Sequence, residues 1–209
     1  MIPTPASVFD SRSAAFALEK DRYQKKARAL AWLRLTIFVA GLAAAIYHFK
    51  QGQNGYGFLC AGLCYGLFLA VLKWHTRIQY SRRHFGFLEK INQEEQERLK
   101  GRLSGFNAGN RFRDAQHPYT SDLDIFGPFS LFQLLNRAVS SLGQQQLASW
   151  LQQGAPAAEI TDRQQAMLEL ATDIDWRQHL QAKALHYQHT VEEPFLFFDW
   201  LQSPDFYRA

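Results

Sequence analysis

Four groups of side chains have types and spacings that could do chemistry. His186 and His189 stand three residues apart, with His179 seven residues before His186. On a helix the closer pair would share a face and could hold a metal ion. No cysteine or carboxylate completes the set, because Glu192 and Glu193 fall past the expected helix end. Solvated histidines are therefore the simpler reading. Asp122 and Asp124 could be paired acid and base carboxylates, but in a turn-rich stretch they read better as turn and capping residues. Cys60 and Cys64 lie one helical turn apart in an uncharged segment and point the same way. That argues against a disulfide framework and for small apolar packing residues. Lys100, Arg102, Arg111 and Arg113 form a basic cluster that could touch phosphate, in lipid or in nucleic acid. Only Phe106 and Phe112 interleave with it, so solvated linker charge is the competing reading. No nucleophile stands beside a base.

The elements that must position these residues follow from how apolar and charged side chains are distributed. The 209 residues have room for roughly one to two domains. Between Leu35 and Leu72 the only charged side chain is Lys50. A bilayer core about 30 Å thick needs about 20 apolar helical residues. Two segments meet that need, at about 29–49 and 56–74, with Gln51–Gly55 as a polar, glycine-punctuated turn. The expectation is a two-helix transmembrane hairpin. Arg34, near the start of the first span, can snorkel to the headgroups. A cleaved signal peptide fits poorly, since about thirty residues precede the first span and a second follows at once.

Gly41 and Ala45 in the first span, and Gly62 and Gly66 in the second, give each helix a small-xxx-small face on which the pair could pack. Such residues are also simply common in membrane helices. Arg22, Lys25, Lys26 and Arg28 precede the first span. Lys73, Arg77, Arg82 and Arg83 follow the second. The rule that basic residues stay inside predicts both termini in the cytosol, in a multi-pass membrane protein. Trp32, Tyr47, Tyr56 and Trp74 fall where an interfacial aromatic belt would lie.

Residues 1–28 and 76–104 read as helical extensions, the latter with Ile78, Phe85, Leu88, Ile91, Leu99 and Leu103 on one face. The extensions are expected to run into the cytosol and pack partly on each other. The glycine- and asparagine-rich stretch in 105–118 reads as a linker. From 119 to 209 short amphipathic helices follow, at Ser130–Arg137, Gly143–Gln153, Ala157–Ala171 and Trp176–Gln188, with Pro128 suited to a first turn and Ser130 to a cap. The expected fold class is all-α. Charge divides with this organisation: residues 1–113 carry 18 Lys/Arg and 7 Asp/Glu, and residues 114–209 carry 5 and 12.

The soluble segment also carries longer motifs. Asp122–Asn136 reads DLDIFGPFSLFQLLN, Ser141–Leu151 reads SLGQQQLASWL, and Pro156–Ala171 reads PAAEITDRQQAMLELA, with WRQHL at Trp176–Leu180. In order and spacing these resemble the opening of the helical core, or lever, domain of MutS-family proteins. Asp124, Phe126, Asn136, Gly143, Trp150, Arg163 and Gln164 carry the resemblance, with Leu147, Leu151, Ile160, Ala166, Glu169 and Leu170 at matching positions. It covers about Tyr119–Leu180. The family's basic residue after Gly143 is replaced by Gln144–Gln146, and its threonine pair by Ala138 and Ser140.

The hairpin stands where repair-type members carry mismatch-reading domains, which resembles the membrane-anchored MutS-like proteins of bacteria. The resemblance implies a dimer, possible DNA contact, and an ATPase domain using ATP and magnesium in a full-length relative. The end at Ala209 reads as a truncation before that domain. Hydrolysis needs a P-loop ending in Gly-Lys-Ser/Thr, and this chain has no Gly-Lys dipeptide. No ATPase activity and no cofactor are expected of it. Phe87-Leu88-Glu89 spells the family's mismatch-reading Phe-x-Glu, but on the juxtamembrane helix. The competing function is a membrane scaffold with no DNA role. A transporter or channel fits poorly, since neither span has an ionisable residue at its middle.

Overall fold

The computed structural model describes residues 4–188, and all the regular structure among them is helical. His189, Glu192 and Glu193 lie outside the described residues. Two compact units are present, Met1–Gln93 and Glu94–Ala209.

In the first unit, Thr4 caps α1, accepting from the Ser7 amide at 3.3 Å, and Pro5 occupies the first turn, where its missing N–H costs nothing. No residue then breaks the helix before Lys50, so α1 runs Pro5–Lys50 as one 46-residue element. It begins at Pro5, and extension and span are continuous. The turn is Gln51–Gln53, with Gly52 at φ 72°, a left-handed conformation that favours glycine. Gln53 N–H donates to the His48 carbonyl at 3.0 Å. Helix α2 then runs Asn54–Leu99, also 46 residues, and takes in Gly55, which the sequence suggested for the turn.

The two helices pack side by side in an antiparallel pair. Ala27 and Leu30 form a buried cluster with Val71 and Ile78, flanked by Tyr23 and Ile37. Towards the open end Tyr23 stacks on Phe85 at 5.3 Å and Lys20 pairs with Glu89 at 2.7 Å. The extensions therefore do pack on each other. Near the turn Phe49 meets Phe58 edge-on and covers Gly57.

Helix α2 ends at Leu99, short of the expected bound at 104. Gly101, at φ 71°, donates to the Arg98 carbonyl at 3.0 Å, and Arg102 donates to the Glu97 carbonyl at 2.9 Å. This glycine-centred pair of bonds satisfies the orphan carbonyls of the last turn.

In the second unit, residues 105–118 are not a free linker. Gly109, at φ 67°, lies against the Phe132 ring, and the Gly127 amide donates to the Ala108 carbonyl at 2.8 Å. Phe112, on a 3-10 turn at Asn110–Phe112, joins Phe126 and Phe132 with ring centres 5.5–5.8 Å apart. Ile125, Ala148, Tyr119, Leu147 and Leu151 complete that core. The stretch is fixed because its aromatic residue is part of the core.

Four helices follow: α3 (Leu131–Leu135), α4 (Ser141–Gln152), α5 (Ala157–Thr172) and α6 (Ile174–Tyr187). Ser130, Ser140 and Asp173 cap α3, α4 and α6. Pro128 lies outside α3, because the Ser130 cap starts the helix later.

Candidate functional site

The chemistry-bearing groups fall into three places. The first is the hairpin interface. Gly41 has no room for a Cβ, since Cys64 fills that space, and the Cys64 thiol donates to the Ile37 carbonyl at 3.3 Å. Ala45 is buried. Gly62 and Gly66 have nothing within 4 Å of where a Cβ would stand. The expected small face on the second helix is therefore replaced by Cys64. Four-residue spacing identifies a face but not which face meets the partner. Both cysteines are free. An apolar groove of about 370 Å³ opens beside this contact, between Phe38, Leu42, Tyr65 and Phe68. Arg34 lies 5.8 Å from the Phe68 ring centre, a cation–π contact.

The second place is the basic group after α2. The structure ties Lys100 and Arg102 to one carboxylate, Glu97, at 3.1 and 3.5 Å. The hydrogen bond from Lys100, ahead of the charges of Lys100 and Arg102, holds Glu97 below the usual carboxylate range. Arg111 lies over the Phe112 ring at 4.6 Å and donates to Gln144 at 3.0 Å. Arg113 lines a separate polar recess.

A further cation was missed in the sequence because only distant chain segments complete its surroundings. Arg98 is buried, 3.9 Å from the Phe106 ring centre. It donates to Glu95 at 3.1 Å and to the Asn136 carbonyl at 3.1 Å. Burial lowers its pKa, while Glu95 raises it. Arg137 also reaches Glu95, at 2.8 Å.

The third place holds the motif residues. Asn136 ends α3, accepting from Ala138 N–H at 2.9 Å, and Phe126 belongs to the aromatic core. The Gly143 amide donates to Ser140 at 3.1 Å, and a Cβ on Gly143 would crowd Ala138. Arg163 lies 4.3 Å from the Trp150 ring centre and pairs with Glu159. Gln164 is exposed, and Asp124 sits in a turn at φ 47°. These are local structural roles: caps, a turn, a core ring and a helix–helix contact.

Among the described residues no three His, Cys, Asp or Glu side chains gather at metal-binding distance. Glu89 of Phe87-Leu88-Glu89 is held by Lys20, and Leu88 is fully buried. That arrangement suits a packed helix pair. No protein-family model, curated protein or solved structure matches the chain.

Proposed function

We propose that this chain is a membrane-anchored protein whose hairpin fixes a cytosolic helical module, with both termini in the cytosol of a bacterial cell. One observation carries the reading. Both long helices have an 18-residue window apolar enough to cross a bilayer, and only 11% and 6% of those windows are buried. The core helix of a water-soluble protein would be mostly covered. Leu35, Phe38, Val39, Leu42, Phe58, Leu59, Leu63 and Leu67 are each half or more exposed. Moving such side chains out of water is worth about 1–2 kcal/mol each, on the order of 10 kcal/mol together. That rivals the whole stability of an ordinary domain, about 5–15 kcal/mol. At about 1.5 Å per residue each 46-residue helix is about 70 Å long, more than twice the membrane core. The rest runs on beside the bilayer surface, where the flanking lysines and arginines meet anionic headgroups.

Residues 119–180 are read, within this proposal, as a MutS-like lever. The caps and contacts made by Asn136, Gly143, Trp150 and Arg163 support that reading, because each of these four motif residues has a local task there. DNA contact and a homodimer belong to the same reading. Titration of the full chain in non-ionic detergent with duplex DNA tests it: binding that weakens steeply with salt supports a phosphate contact. No binding at low salt would leave the second reading, a membrane scaffold. That reading is favoured by one specific observation, the pairing of Lys100 and Arg102 with Glu97, which offsets part of the positive charge a phosphate would need.

A further inference from the structure

The segment leading into α3 lines an open polar recess of about 230 Å³, with Arg113, Asp114, Thr120, Ser121, Asp124 and Phe126 around it. Its polar groups are not used up by the fold. Thr120 is 3% exposed, and its buried Oγ1 has no hydrogen-bond partner. A buried hydroxyl without a partner is costly and calls for an explanation, of which a water or ligand held in the recess is one. Among the described residues the Arg113 side chain makes no ion pair or hydrogen bond, although two carboxylates line the same recess. Asp114 spends one oxygen on the Gln116 amide at 2.9 Å. Asp124 is held in place by its backbone, which accepts from Leu131 N–H at 3.2 Å and donates to Ser121 at 3.4 Å.

We infer that this recess binds a small zwitterion, with its anionic group on the Arg113 guanidinium and its ammonium between Asp114 and Asp124. A bare anion would meet two carboxylates, and a bare cation would meet the guanidinium; a molecule carrying both charges meets an opposite charge at each end. The Thr120 hydroxyl supplies a neutral donor to the same ligand. The volume equals about seven or eight waters at ~30 Å³ each, which limits the ligand to a small solute or a lipid headgroup. This site is independent of the membrane and MutS readings.

The test is calorimetric titration of the full chain in a non-ionic maltoside, with phosphoethanolamine and β-alanine as probes. Inorganic phosphate and ethylammonium carry charge of one sign only and serve as controls. The zwitterions should bind saturably, and the one-sign probes about tenfold or more weaker. Arg113→Gln and Asp124→Asn should each weaken zwitterion binding about tenfold or more. Both positions are exposed, and asparagine tolerates a positive φ, so the fold survives either change. Thr120→Val should weaken binding as well. Adding vesicles of phosphatidylethanolamine separates the sources: they abolish β-alanine binding if the site takes a headgroup and leave it intact if it takes a free solute, and either result supports a zwitterion. Phosphate binding as tightly as phosphoethanolamine, unchanged binding in Arg113→Gln, or no saturable heat from any zwitterion would overturn the inference.

Discussion

Cys64 fills the space where Gly41 would carry a side chain, so the hairpin helices approach closely at this point. Gly41→Val should push them apart, at a cost of about 1–3 kcal/mol for overpacking. Cys64→Gly in the same chain should restore much of the loss, whereas Gly62→Val and Gly66→Val should change stability by less than about 0.5 kcal/mol. Thermal unfolding in detergent, followed by circular dichroism, measures all four.

Arg98 joins the end of α2 to the chain around Asn136 through a buried guanidinium, a ring and a carboxylate. Arg98→Ala should destabilise the second unit by about 2–4 kcal/mol, since partners are stranded in a dry setting. Arg98→Lys should recover little of this, because an ammonium cannot span Glu95 and the Asn136 carbonyl while lying flat on Phe106. Denaturant unfolding that shows Arg98→Lys at wild-type stability would contradict this role.

Arg163 on Trp150 links α5 to α4. Both are partly exposed, so Arg163→Ala and Trp150→Ala should each remove about 0.5–1 kcal/mol from the cation–π contact itself, and more where packing is lost with the ring. Their double mutant should lose less than the sum. Strict additivity in that cycle would show that the contact contributes nothing.

Glu97 has its pKa lowered on folding, first by the hydrogen bond from Lys100. The stabilisation this gives is therefore present above the ordinary carboxylate pKa and lost as pH falls through the lowered folded value. Carbon-13 titration should find Glu97 protonating below the usual glutamate range. The Lys100→Gln, Arg102→Gln double variant should move it back up.

Much of the architecture was legible because it depends on local sequence. Ser130 signalled its cap, the uncharged run from Leu35 to Leu72 signalled the paired apolar segments, and the absence of proline after Pro5 allowed each extension to fuse with its span. What escaped the sequence depends on contacts between distant residues. Gly62 and Gly66 carry the same spacing as Gly41 and Ala45, yet which helix face turns inward is settled by packing along the whole pair. The stretch at 105–118 looked like a linker because its glycines and asparagines favour turns. Only the meeting of Phe112, Phe126 and Phe132 shows those turns wrapped around a core. Arg98 belongs to no spacing pattern, and the Asn136 carbonyl that completes its surroundings stands far along the chain.

Alkaline extraction of membranes from cells expressing the full chain tests the anchoring directly. The protein should stay with the lipid pellet at high pH and in urea, leave it only with detergent, and present tags at both ends to cytosolic protease. Recovery in the aqueous fraction without detergent would contradict the account, since the exposed faces of α1 and α2 would then require some other cover.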